Sequence, residues 1–246
     1  MAVSEPTKRV LFARSGNLCA FPNCNTHLVQ EKTGDDPPSI VGNICHIKGK
    51  KPDAPRYDTG MSDQERDAID NLILLCATHH KLIDDQYNEY TVEKLQQFKL
   101  AHEGWVNTQV SREISEVTFA ELEVITQYVV SNTTSETKIT IIPPKDKITK
   151  NQLSQEVENL IKMGIAQVKL VRNFINNMPD PMFGERLKQG FVNKYERLVK
   201  EEGLNGDDLF YNLLDFASNG SSDFQQKAAG LVVLSYFFET CDVFET

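Results

Sequence analysis

Apolar residues recur along the chain with a changing period, and each change marks a boundary between elements. In KRVLFARSGNL, residues 8–18, the side chains of Val10, Leu11, Phe12 and Leu18 predict a short helix running into a Gly-Asn turn that delivers the chain to Cys19. TGDDPPS is a loop by composition, and SIVGNICHI after it predicts a short strand carrying Cys45 and His46. KGKKPDAPRYDTG is loop again. Ser62 and Glu65 then have the spacing of a capping box, and an apolar run over 72–75 ends at Cys76. YTVEKLQQFKLAHEGWVNTQV predicts an amphipathic helix with Val92, Leu95, Phe98 and Leu100 along one side, closing a first domain.

Beyond that helix the pattern changes. ISEVTFAELEVITQYVVSN is helical in period, SNTTSET is a polar linker, and KITIIPPKDKIT is a strand-like run stopped by Pro143 and Pro144. From Asn151 onward the chain reads as helical. One long stripe runs through Leu153, Val157, Leu160, Ile161, Ile165, Val168, Val171, Phe174 and Ile175, with breaks at 178–181 and 219–222. LFYNLLDFA and GLVVLSYFFETCDVF are richer in aromatics than a lone surface helix needs, so they are core or a partner interface. No repeat and no low-complexity tract interrupts the sequence.

A length of 246 residues suits two modest domains. The formal net charge of -9 argues against coating nucleic acid through bulk electrostatics. Lys and Arg number 12 against 15 Asp and Glu over residues 1–110, and 14 against 20 in the remainder, so both parts are acidic. Any contact with nucleic acid must be local, and the locally basic stretch is the 48–60 loop. MAVSEPTKRV has no signal-peptide core, and no run approaches the roughly 20 apolar residues of a membrane span. A cytoplasmic protein with no membrane association is expected, and its five cysteines are read as free thiols rather than a disulfide framework.

Four of those cysteines precede residue 80. Cys19 and Cys24 form a Cys-x4-Cys pair, and Cys76 with His79 forms a Cys-x2-His pair. Thiolate and imidazole are the donors Zn2+ prefers, and two short-spaced pairs brought together by folding make a closed structural site. His27, three residues after Cys24, competes with His79 for the fourth position. Ordinary buried cysteines are the alternative. His102 reads as a surface histidine late in a helix, Trp105 as core or domain-interface packing, and Cys241 as core.

Taken together, CHI, DNLILLC and HHKLID resemble the HNH endonuclease family over about residues 8–103. The resemblance implies an α+β chain: a zinc-stabilised ββα-metal HNH domain over 1–110, then a mainly α-helical domain over 111–246. It implies that His46 ends the first strand, Asn71 lies in the connection and His80 opens the helix, while Cys19, Cys24, Cys76 and His79 hold structural zinc. On that plan the adjacent His79 and His80 serve two different metals. His46 would act as general base, a role its ordinary pKa near 6.5 suits, and His80 would hold a catalytic Mg2+ or Mn2+. Asn71 would orient the loop that bears His46. Lys48, Lys50, Lys51 and Arg56 would meet the DNA backbone; the alternative is a solvated loop.

One position departs from the family pattern. Many members carry a metal-binding aspartate immediately before the first histidine, where this chain has Cys45. Asp84, one helical turn after His80, is the candidate replacement carboxylate. Cys45 is then either packing or the sign of a softer metal such as Mn2+ or Ni2+. KITIIPPKDKITKNQLS, with the order of nuclease then helical domain, is similar to the C-terminal adaptor domains of effectors in bacterial ABC three-component conflict systems. That similarity implies control by an ABC-type ATPase and other subunits of a defence complex acting against phage DNA. The competing expectation is a zinc-stabilised nucleic-acid or protein binding module whose nuclease site has decayed.

Overall fold

The computed structural model describes residues 3–24, 26–30, 37, 39–131 and 144–240. The chain divides into two units, Met1–Thr108 and Gln109–Thr246. In the first, α1 (Glu5–Arg14) starts where the Ser4 hydroxyl accepts from the Thr7 amide at 3.2 Å. It stops at a turn in which Gly16 and Asn17 take left-handed φ of 62° and 61°. Strands β1 (Val29–Gln30) and β2 (Ser39–Ile40) pair with each other, and β3 (Gly42–His46) pairs antiparallel with β4 (Leu72–Cys76). The single strand expected over SIVGNICHI is therefore two, divided at Val41. Gly42 permits the turn, because a Cβ there would stand 2.7 Å from the Leu28 Cβ.

The hairpin register runs from Gly42 opposite Cys76 to His46 opposite Leu72. Side chains alternate across a strand, so Cys45 enters the core while His46, its neighbour, points elsewhere. Leu11, Leu28, Cys45, Ile47, residues 72–75, Ile83 and Leu95 make that core. The capping box forms at α2 (Asp63–Arg66), with Ser62 and Glu65 each satisfying the other's backbone amide. Helix α3 (Ala77–Asp85) follows β4 without a loop and packs on both strands of the hairpin. Helix α4 (Val92–Glu113) buries Leu95, but Leu100 is 69 % exposed. Five residues advance an α-helix by about 140°, which carries Leu100 off the buried side. The same face brings in His102, expected at the surface but buried, with Nε2 3.0 Å from the Ser15 carbonyl oxygen.

The second unit is helical: α5 (Phe119–Ser131), α6 (Pro144–Lys150), α7 (Gln155–Ile165), α8 (Val168–Asn176), α9 (Phe183–Lys200), α10 (Gly206–Ala217) and α11 (Phe224–Thr240). Helix α11 is buried on every side over 227–235 and packs against α5, α7, α8 and α10, as an all-round apolar helix must. The two aromatic-rich runs are thus largely core. Gly164 on α7 lets the backbones approach, since a Cβ would stand 2.7 Å from the Ser235 Cβ and 3.0 Å from the Leu231 oxygen.

The expected single stripe is broken. Amide-to-carbonyl bonds three residues back, from Ala166 to Met163 and from Gln167 to Gly164, separate α7 from α8. A further break after α9 went unanticipated; Gly203 and Gly206, with φ of 66° and 55°, make it. Most of TGDDPPS, the SNTTSET linker beyond Ser131, the KITIIP run and Cys241 lie outside the described residues. Among the described residues no helix is long and apolar enough to cross a membrane.

Candidate metal centre and catalytic site

Two loops meet at the end of the hairpin. The first, 19–24, is closed by a bridge between Leu18 and His27 and is tied to β4 by the Ala20 amide, which donates to the Leu74 oxygen at 2.9 Å. The second is the junction of β4 and α3. Their ligand atoms, from Cys19, Cys24, Cys76 and His79, all lie within 4.8 Å of one another. His79 Nδ1 stands 3.2 Å from the Cys76 sulfur and 3.6 Å from the Cys19 sulfur. In a tetrahedral Zn2+ site the sulfur-to-nitrogen edges are about 3.6 Å and the sulfur-to-sulfur edges about 3.8 Å, so this donor set fits zinc. His27 is exposed and outside the cluster, which gives the fourth position to His79.

The surroundings suit anionic sulfur. The Cys76 amide donates to the Cys19 sulfur at 3.3 Å, and Cys76 stands at the N-terminus of α3, the positive end of the helix. Burial pushes the Cys19 thiol up to about 12, so a metal must displace its proton on binding. Burial acts upward on Cys24 too, but the Thr26 hydroxyl, 3.1 Å away, and the Thr26 amide hold it below the usual thiol value. Burial lowers His79, which keeps its imidazole neutral and able to ligate. The Phe21 ring stacks on that imidazole with centroids 3.9 Å apart and planes 2° from parallel, fixing its orientation.

The other predicted groups lie on the hairpin and on α3. His46 ends β3. Asn71 is buried, and its amide clasps the chain two residues past His46: Oδ1 accepts from the Lys48 amide at 2.9 Å, and Nδ2 donates to the Lys48 and Arg66 oxygens at 3.0 and 2.9 Å. His80 is in the first turn of α3, with Nε2 3.2 Å from Asp84 Oδ2. The two adjacent histidines therefore do face different partners. Among the described residues the sulfur-rich cluster is the one set of three or more clustered metal-binding side chains, so His80 and Asp84 form a pair, with the other Asp84 oxygen held by Arg56. Cys45 is 1 % exposed in the core, its thiol donating to the Asn43 oxygen at 3.4 Å, and it supplies no ligand. Of its two readings, packing is the one the structure supports.

The four cations separate. Lys51 is exposed, Lys48 pairs with Asp58 at 2.8 Å and Lys50 with Asp67 at 2.7 Å. Arg56 corrects the expectation of a DNA-contacting residue: its side chain is 5 % exposed and donates to the Ile47 and Ile83 oxygens and to Asp84 Oδ1 at 2.9 Å. It locks the basic loop to α3 and orients Asp84. A second buried arginine, Arg66, does similar work, donating to the Gly49, Asp58 and Met61 oxygens under the Tyr57 ring. Trp105, expected as packing, is 36 % exposed.

Sequence reasoning missed Asp67. Its Oδ1 lies 2.9 Å from His46 Nε2, and both its oxygens are 2.7 Å from Lys50 Nζ. Burial alone would raise its pKa, but Lys50 and then His46 hold the carboxyl below the usual range. The one signal was its position, immediately after the short helix opened by the Ser62–Glu65 box.

Comparison with known families accords with both parts of the chain. A family model for HNH endonuclease matches residues 22–87. A second, for C-terminal domain 10 of the ABC-three component (ABC-3C) systems, matches residues 120–245. No curated protein matches the chain.

Proposed function

Because this chain belongs to the family defined by C-terminal domain 10 of the ABC-three component systems and carries an HNH endonuclease domain ahead of it, we propose that it is a metal-dependent DNA endonuclease and a partner-controlled effector of anti-phage defence. The observation that carries this reading is the division of labour between neighbours: His79 Nδ1 faces two sulfurs, while His80 Nε2 faces Asp84. Zn2+ at Cys19, Cys24, Cys76 and His79 is structural, joining two loops that the small core cannot hold by itself.

His80 and Asp84 would hold the catalytic ion, Mg2+ or Mn2+, which supplies charge stabilisation at the phosphoryl and leaving oxygens when bound. His46 takes the proton of the attacking water. Asn71 keeps the backbone after His46 in place through its three amide bonds. Lys51, which is exposed, meets phosphate without reading sequence, while Lys48, Lys50 and Arg56 are each paired with a carboxylate. Residues 1–110 are the nuclease domain, and the acidic helical domain over 111–246 receives an ABC-type ATPase or another subunit rather than DNA.

The test is plasmid cleavage by the zinc-replete full chain with Mg2+ and then Mn2+, alone and with the ATPase from the same locus. Nicking or linearisation that a chelator of the added ion stops is the expected outcome. The buried Cys45, standing where an aspartate would bind metal, favours the other reading, a binding module with a decayed nuclease site. Zinc retained with no metal-dependent cleavage under either condition would establish that second reading.

A further inference from the structure

The general base proposed above has a partner that neither family match assigns. We propose that Asp67 is a positioning residue: its carboxylate fixes the His46 imidazole in the tautomer whose proton is on Nε2, leaving the Nδ1 lone pair for the attacking water. This inference rests on the nuclease reading.

The geometry leaves little choice of proton position. An ionised carboxylate can only accept, so the 2.9 Å contact between Asp67 Oδ1 and His46 Nε2 needs the proton on the imidazole. Among the described residues no protein group meets Nδ1, and the side chain is 18 % exposed, so the ring is partly open to solvent. A base must present a free lone pair to its water, and with Nε2 engaged by Asp67 that lone pair is the one on Nδ1. When His46 takes the water's proton on Nδ1, the imidazolium carries one positive charge beside the Asp67 carboxylate. The carboxylate stabilises that charge without becoming protonated.

Asp67 is itself held in place. Its amide donates to the Asp63 oxygen at 3.3 Å at the C-terminus of α2, whose N-terminus the capping box fixes. Arg66, next in the chain, is pinned by three carbonyls. Lys50 Nζ touches both carboxylate oxygens, so Asp67 enters the site already paired with a cation. That pairing keeps the carboxylate from presenting an uncompensated negative charge to an approaching phosphate.

The experiment compares wild type with Asp67→Asn and Asp67→Ala, all as zinc-replete full chains; the amide variant keeps the shape of the site should the alanine variant fold poorly. Side-chain 15N resonances of His46, assigned by their loss in His46→Ala, report the tautomer directly. Plasmid cleavage with the partner present gives kcat and KM, and DNA affinity is measured separately. The expected result is an Nε2-protonated imidazole in wild type, a mixture of tautomers in the variants, and a kcat lower by about 10- to 100-fold with DNA affinity no weaker than wild type, since Lys50 loses the Asp67 carboxylate. An imidazole protonated on Nδ1 in wild type overturns the proposal. Variants that cleave at the wild-type rate also overturn it and leave the nuclease reading intact. A wild type that cleaves under no condition removes the nuclease reading and this role together, so cleavage by wild type tells the two failures apart.

Discussion

Replacing Cys76 by alanine is expected to release zinc and unfold the N-terminal unit. Cys76 supplies a ligand at the junction of β4 and α3, so one substitution removes a metal bond and loosens both loops. Zinc held by a small structural site contributes roughly 10–16 kcal/mol of apparent binding free energy, against about 5–15 kcal/mol for the whole stability of a typical domain. Three thiolates and an imidazole reduced to three donors lose enough of that to leave little net stability. Elemental analysis should fall from one zinc per chain toward none. Thermal unfolding of the unit should move down by more than about 10 °C, since each 1 kcal/mol shifts a domain of this size by about 4–8 °C. A Cys76→Ala protein with a full complement of zinc and an unchanged transition would rule out the structural role assigned to the cluster.

The second large effect is chemical rather than structural. His46→Ala should cut plasmid cleavage by roughly 100- to 10,000-fold, the range over which a positioned general base acts. Zinc content should be unchanged, because no atom of His46 belongs to the cluster. The fold should hold as well: His46 lies partly exposed at the end of β3, and the Lys50–Asp67 pair remains when its ring is gone. A zinc-replete His46→Ala protein that cleaves like wild type would assign the base elsewhere.

Much of this site was legible because it is written in short spacings. Cys19 with Cys24 and Cys76 with His79 are each held by one local turn, so their sequence distance already limits their distance in space. The Ser62–Glu65 box is likewise a local device, and it formed as its spacing indicated. What stayed hidden depends on long-range packing. Asp67 meets His46 across 21 residues, and Phe21 stacks on His79 across 58, neither with a periodic signature. Arg56 looked like one more cation in a basic loop, yet its left-handed backbone, φ 58°, and its four carbonyl and carboxylate partners turn it inward. Leu100 and His102 exchanged places for a simpler reason, since the hydropathy of a helix position says less than its angle around the axis. In the second unit the all-round apolar character of α11 was visible in the sequence, whereas the turns that divide α7 from α8 and α9 from α10 rest on one or two residues each.

The most direct test of the proposed two-metal nuclease is to change the adjacent histidines one at a time and measure zinc content and DNA cleavage on the same preparations. His79→Ala is expected to lose zinc, stability and cleavage together. His80→Ala is expected to keep its zinc and its fold while losing cleavage, with weakened dependence on added Mg2+ or Mn2+. If His80→Ala cleaves normally, or if both variants lose zinc alike, the two histidines serve one structural site and the catalytic assignment on α3 is wrong.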